Sequence, residues 1–183
     1  MPLNILLDMD GVLANFNAGA LEATGIPLTT DQITTWSWFE PYMTANKFYE
    51  CINTQLCFWD DLPVYPWAHE LLDVCRSFGS VYFASSPGMC DEAATGKLNW
   101  LRRHGFLQYR DTNYMLGHDK WLMANPQNVL IDDSVEQVSR FNAAGGPTVL
   151  FPQPWNWHVE PELKDKVRSV WALLEKKKEV LRD

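Results

Sequence analysis

Long apolar runs are missing from this chain of 183 residues: none approaches the roughly 18–20 residues that cross a bilayer, so membrane insertion is not expected. Cysteine is scarce too. Cys51, Cys57, Cys75 and Cys90 form neither a CxxC pair nor a cluster with metal-ligand spacing, and no secretory-type stretch precedes the first apolar run. Reduced thiols and a cytoplasmic setting are the expectation. Positive charge is in short supply, with 15 Lys and Arg against 23 Asp and Glu and a net charge of -8. That balance disfavours a nucleic-acid polymer or an anionic membrane as partner, because long-range attraction is lacking, while a local basic pocket for phosphate stays open. Internal repeats, low-complexity tracts and flexible interdomain linkers are absent as well.

The chain does have a hydrophobic content of 46%, enough for one sizeable core with an inserted subdomain. Strand-like runs fall at 3–7, 80–84, 129–131 and 148–151, with helix-compatible stretches at 15–24, 68–78, 91–104, 135–143 and 160–181. This alternation predicts an α/β fold with a central parallel sheet flanked by helices. Gly79, Gly105 and Gly145 are placed to end three of the helices. Val167, Val170, Leu174 and Leu181 share one face of the last helix, and Lys176-Lys177-Lys178 reads as its solvated final turn. Pro152, Pro154 and Pro161 mark a link expected to run over the surface. The stretch 26–65 differs in kind, carrying Trp36, Trp38, Phe39, Tyr42, Phe48, Tyr49, Phe58 and Trp59. It reads as an inserted helical cap whose aromatics form mainly a small core of their own, with some free to face a ligand.

The chemistry concentrates at the predicted strand ends. Asp8-Met9-Asp10-Gly11-Val12 follows the apolar run 3–7, so two carboxylates stand where a buried strand finishes. Losing hydration there is costly unless a cation or hydrogen-bond donors compensate, and a divalent ion, most naturally magnesium, answers both charges at once. Alternation of side chains points Asp8 and Asp10 the same way, and Gly11 permits a tight turn that brings a carbonyl near the ion. One carboxylate can then attack while the other moves protons; an ordinary Asx-rich turn is the competing explanation. Ser85-Ser86-Pro87-Gly88 ends a second strand, offering hydroxyls and turn amides as a phosphate cradle, although the same residues also make common turns. Lys120 precedes the strand at 129–131 and is placed to neutralise phosphate oxygens. Lys97 lies on the helix after the serine turn, where a lysine is ordinarily solvated, and ranks below Lys120. Asp132-Asp133-Ser134 closes another strand, with helix N-capping as the alternative use of Asp133 or Ser134. Polar strand ends of one α/β sheet converge at its carboxyl edge, where ligand crevices open.

Taken in order, Asp8-Met9-Asp10-Gly11, Ser85, Lys120 and Asp132-Asp133 resemble the four motifs of the haloacid dehalogenase-like (HAD) phosphohydrolase superfamily. Within it, Asp8-Met9-Asp10-Gly11-Val12-Leu13-Ala14-Asn15-Phe16, the tryptophans of 26–65 and Ser85-Ser86-Pro87 look like the 5'(3')-deoxyribonucleotidases. Asn15 departs from the aspartate common in relatives, and Ser85 stands where related nucleotidases commonly carry threonine. The resemblance implies a Rossmann-like core at 1–25 and 66–183 and a small cap at 26–65. It also implies Mg2+-dependent hydrolysis of deoxyribonucleoside monophosphates through an aspartyl phosphate. Asp8 would be the nucleophile and Asp10 the acid and base. Metal would be held by Asp8, the Asp10 carbonyl and Asp133 or Asp132, and phosphate by Ser85 and Lys120 with help from Ser86 and Lys97. Phe16, Trp36, Trp38 and Phe58 would enclose base or sugar. Another small phosphoester as substrate, and noncatalytic nucleotide binding, are the alternatives. A homodimer is left open, since apolar cap residues alone do not establish a dimer surface.

Overall fold

The computed structural model describes residues 3–88, 90–156 and 165–180. Five parallel strands form one sheet: β1 (Leu3–Leu7), β2 (Gly79–Ser85), β3 (Tyr114–Leu116), β4 (Asn128–Asp132) and β5 (Thr148–Leu150), in the order β3-β2-β1-β4-β5. Leu3, Ile5, Leu6 and Leu7 are all buried, as a central parallel strand covered on both faces requires. The chain builds outward from β1 to β2 and β3, then returns to the other side of β1 for β4 and β5. That reversal is the switch point at which a doubly wound sheet opens a crevice beyond its carboxyl ends.

Period-two alternation sorts the side chains into two layers. Leu6, Ala84 and Leu130 meet Phe141 of α5 (Val135–Ala143) on one face. Ile5, Leu7, Val81, Phe83, Val129 and Ile131 join the larger core, which includes α3 (Ala68–Phe78), α4 (Asp91–Arg103) and α6 (Lys166–Val180). The predicted α6 face is seen at Val167, Val170 and Leu174, whereas Leu181, Pro161 and the expected helix start at 160–164 lie outside the described residues. Lys178 sets its ammonium over the Phe78 ring at 5.3 Å, so the final turn is not wholly solvated.

Local chemistry sets the element ends. Asn15 caps α1 (Phe16–Thr24) by accepting from the Ala18 N–H at 3.0 Å. Ser134 caps α5 by accepting from Gln137 N at 3.3 Å. Gly79 ends α3 but is also the first residue of β2, and a Cβ there would stand 1.8 Å from the Leu3 carbonyl oxygen. The link after β5 runs inward, contrary to the surface course expected from its prolines. Phe151, Pro152, Gln153 and Asn156 are buried, and Gln153 and Asn156 meet backbone carbonyls that would otherwise be short of donors.

Residues 26–65 contain a short 3-10 turn (Thr30–Gln32) and α2 (Ala45–Thr54), which packs against α1. Phe39 stacks on Phe48 with centroids 4.0 Å apart, and Trp38 meets Phe48 edge-on at 5.5 Å. The far end of this segment is pinned beside the loop that precedes α1: Asn15 N donates to Pro63 O at 2.7 Å and Tyr65 N to Leu13 O at 2.9 Å. Its last turn is fastened to α4, where Trp100 donates to Leu62 O at 2.7 Å, Asn99 to Asp60 Oδ1 at 3.0 Å and Arg103 to Asp60 O at 3.0 Å.

Trp100 is fully buried, so Trp100→Phe keeps most of the ring packing and leaves the Leu62 carbonyl without its donor. The expected loss is about 1–3 kcal/mol, read as a lower urea midpoint at unchanged slope.

Candidate active site

Asp8 and Asp10 follow β1 in a tight loop in which Leu13 N and Ala14 N both donate to Met9 O at 2.8 Å and Gly11 N donates to Ala14 O at 2.9 Å. Met9 is buried in the core, and Asp8 and Asp10 line one cavity. Gly11 holds φ +75°, and a Cβ on it would fall 2.2 Å from Asp133 Oδ2. Glycine is therefore required twice over, by backbone conformation and by the carboxylate pressed against it.

Lys120 begins the 3-10 turn Lys120–Met123 and is buried between two carboxylates. Its Nζ donates to Asp8 Oδ1 and Asp132 Oδ2, both at 2.7 Å. Burial pushes the Asp8 carboxyl up to about 7, with Asp132 adding to the effect and Lys120 opposing it. Asp133 is also raised well above the usual carboxylate range, by burial first and then by Asp132 and Asp8. Burial works against the charge on Lys120, but Asp8 and Asp132 together outweigh it and raise the lysine above its ordinary value. Carboxylate oxygens of Asp8, Asp132 and Asp133 lie within 4.8 Å of one another, close enough for a single hard cation to meet them.

Lys97 is not the solvated helical lysine its type suggests; it is 1% exposed. Its Nζ donates to Asp10 Oδ2 at 2.5 Å, Ser86 O at 2.7 Å and Ser85 Oγ at 3.0 Å, and lies 4.7 Å from the Trp59 ring centroid. The spacing of Ala93, Gly96, Lys97, Trp100 and Leu101 marks the buried face of α4, a signal present in the sequence.

A turn after β5 supplies contacts that no sequence motif announced. Trp155 Nε1 donates to Asp133 Oδ2 at 2.8 Å, Asn156 Nδ2 to Asp133 O at 2.8 Å, and Gln153 Nε2 to Gly11 O. Lys166 of α6 donates to Gln153 Oε1 at 2.7 Å and to Pro152 O, and lies over the Trp67 ring. Burial lowers Lys166 to about 8 against the opposing pull of Asp133.

Beside these groups lies a cavity of about 300 Å³. Asp8, Asp10, Ser85, Ser86, Lys97, Lys120, Asp132 and Asp133 line it on the sheet side, and Phe16, Trp36 and Trp38 on the other. Trp38 is fixed by donating to Asn17 Oδ1 at 3.0 Å, whereas Trp36 is 62% exposed at the rim. Phe58 does not line the cavity: its ring stands edge-on behind Phe16 and Trp59, at 5.8 and 5.0 Å. Tyr49, Trp59 and Asn17 take lining positions that sequence reasoning did not single out. Asn17 gave no motif, and Trp59 was indistinguishable from the core aromatics around it.

Residues 2–177 match the sequence profile of a family described as 5' nucleotidase, deoxy (pyrimidine), cytosolic type C protein. The chain belongs to this family. It is thereby a HAD phosphatase of the 5'-nucleotidase type. Solved structures with the same fold include a HAD family hydrolase from Deinococcus radiodurans with bound phosphate and sodium, at TM-score 0.63 and 16% identity over 96% of each chain. A HAD hydrolase from Bacillus subtilis bound to magnesium aligns at TM-score 0.57 and 14% identity, over 94% of this chain and 98% of that one. A haloacid dehalogenase-like hydrolase from Burkholderia xenovorans aligns at 0.57 and 18% identity over 98% of each chain. No curated protein matches the chain in sequence. Among the described residues no helix is long and apolar enough to cross a membrane.

Asp8 holds its proton more tightly folded than unfolded, so its contribution to stability is present below the unfolded value of 3.8 and is lost as pH rises through about 7. In EDTA, the thermal midpoint of this nucleotidase should fall as pH is raised across that range. Asp8→Asn should flatten the decline, with each kcal/mol worth about 2–4 °C. Parallel curves for the two proteins would contradict the assigned shift.

Proposed function

We propose that this protein is a Mg2+-dependent phosphomonoesterase that hydrolyses deoxyribonucleoside monophosphates to deoxynucleoside and phosphate through an aspartyl phosphate. The observation that carries the reading is the arrangement of Asp8 and Asp10, each with one oxygen held by a buried lysine. Lys120 holds Asp8 Oδ1 and leaves Oδ2 without a hydrogen bond from any described residue, which suits it to attack phosphorus. Lys97 holds Asp10 Oδ2, and Asp10 Oδ1 is buried without a partner, which suits it to carry the transferable proton.

In the first step Asp8 Oδ2 bonds to phosphorus and the bond to the nucleoside oxygen breaks, with Asp10 donating the proton to that leaving oxygen. In the second, Asp10 takes a proton from water, the water oxygen bonds to phosphorus, and cleavage of the Asp8–phosphorus linkage returns the free carboxylate and inorganic phosphate. Ser85 Oγ, Lys97 and Lys120 offer the transferring group donors that are fixed before substrate arrives, and Ser86, which also lines the cavity, anchors Lys97 through its carbonyl.

The oxygen-rich cluster fits a hard divalent cation. Asp132 spends one oxygen on Lys120 and the other on Ser134 N, whereas Asp133 has only Oδ2 engaged, by Trp155. Asp133 is therefore assigned as the direct ligand with Asp8 and the Asp10 carbonyl, and Asp132 as the residue that fixes Lys120. When bound, the ion supplies Lewis-acid neutralisation of charge on the carboxylates and the phosphoryl oxygens. Phe16, Trp36 and Trp38 offer apolar faces to base and sugar, and the 26–65 segment serves as a cap that limits water. The description of the family as a deoxy 5' nucleotidase supports the substrate class.

Phosphate release from 5'- and 3'-deoxyribonucleotides, ribonucleotides and sugar phosphates tests the proposal. Turnover should favour deoxyribonucleotides, vanish in EDTA and return with Mg2+. Asp8→Asn should lose activity on the order of 10⁴-fold while keeping the native circular dichroism spectrum. Preference for a sugar phosphate would overturn the substrate assignment, and an active Asp8→Asn protein would overturn the mechanism.

A further inference from the structure

The two acidic loops are joined by one short segment of chain. Gln153, Trp155 and Asn156 reach across both: Gln153 Nε2 to the Gly11 carbonyl, Trp155 Nε1 to the Asp133 carboxylate and Asn156 Nδ2 to the Asp133 carbonyl. The turn closes on itself, since Asn156 N donates to Gln153 O and Gln153 N to Asn156 Oδ1, both at 2.9 Å. Gln153 and Asn156 are each 2% exposed. Gly11 and Asp133 are already in contact, so whatever holds these two carbonyls fixes the separation of the loops that bear Asp8 and Asp133.

Lys166 decides which way the Gln153 amide faces. An ammonium offers donors and no acceptor, so the amide must present Oε1 to Lys166 and Nε2 to Gly11 O. The opposite orientation would set two donors together at one end and two acceptors at the other. Pro152 O and the faces of Trp67 and Phe151 hold the ammonium from the remaining sides. Trp67 itself donates to Val12 O at 3.0 Å, so the same corner also braces the residue after Gly11.

We propose that the 153–156 turn, oriented by Lys166, is a clamp that sets the geometry of the cation site, with Gln153 and Lys166 as positioning residues. The inference rests on the reading that Asp8 and Asp133 hold a divalent ion. Groups that orient metal ligands from behind are generally worth about 10–100-fold in metal affinity or activity.

Calorimetric titration with Mg2+ alone, without substrate, comes first. The native chain should bind, Lys166→Met should bind about 10–100-fold more weakly, and Lys166→Arg, which keeps a donor-only cation, should recover most of the loss. Gln153→Glu supplies the second arm. It keeps the contact to Lys166 as an ion pair but turns an oxygen toward Gly11 O, so kcat at saturating Mg2+ should fall about tenfold or more while the native circular dichroism spectrum is kept. KM should move little, because neither residue lines the cavity. Native-like Mg2+ affinity in Lys166→Met despite a lowered melting temperature would overturn the clamp and leave these residues a structural role alone. So would native kcat in Gln153→Glu, which also decides the matter if Lys166→Met does not fold. Absence of Mg2+ binding by the native chain would overturn the cation reading itself.

Discussion

Three carboxylates, from Asp8, Asp132 and Asp133, are held out of water within a few ångströms of one another at the end of β1 and β4. Like charges in that setting repel strongly because little solvent screens them. Lys120 offsets part of the excess by bridging Asp8 and Asp132, yet burial first, and then the neighbouring carboxylates, keep Asp8 and Asp133 both raised. Much of the surrounding structure serves to keep this arrangement in place. The turn bearing Lys120 is tied to α5 through Arg140 to Asp119 at 2.8 Å and Gln137 to the His118 carbonyl at 2.9 Å. Gly11 leaves room for Asp133, and the 153–156 turn closes the site from behind.

The second buried lysine has a different neighbourhood. Lys97 contacts Asp10, Ser85 and Ser86 from α4, the helix to which the last turn of the 26–65 segment is fastened by Trp100, Asn99 and Arg103. Gly96, one residue before Lys97, is pressed against Trp59, where a Cβ would stand 2.7 Å from the Trp59 Cβ. One helix thus brings the charge on Asp10 and the aromatic wall into register. Displacing the wall would also disturb the lysine.

Much of the fold could be read from residue pattern. The apolar runs at 3–7, 129–131 and 148–151 fall on parallel strands, the last of which ends one residue earlier at Leu150, and α3 and α5 span 68–78 and 135–143 as their periodicity indicates. β3 escaped notice because Tyr114–Leu116 is three residues long, lies at the edge of the sheet and is only partly buried, so it shows neither a hydrophobic run nor alternation. With β3 in place, Lys120 follows a strand of its own, and all the motif residues lie at or beyond carboxyl ends of the sheet. Spacing could bring Asp8, Asp10, Ser85 and Asp132 together because each is tied to the end of a strong strand. It could not place Gln153, Trp155 or Lys166, whose positions depend on an irregular turn and on the docking of α6. Among the aromatics, composition could not separate Phe58, packed behind Phe16, from Trp38, which faces the cavity.

The close pairing of Ala14 with Val64 closes a stretch of chain made of α1 and most of the 26–65 segment. None of the five strands lies between those two residues, so the segment contributes nothing to sheet register. Bringing chain ends together carries an entropy cost that grows only slowly with the length of chain between them. Changes of length within the stretch, away from Trp59 and Leu62 that pack on α4, therefore leave the strand register untouched. In evolutionary terms, the stretch between Ala14 and Val64 is free to change length without shifting how β1 pairs with β2 and β4.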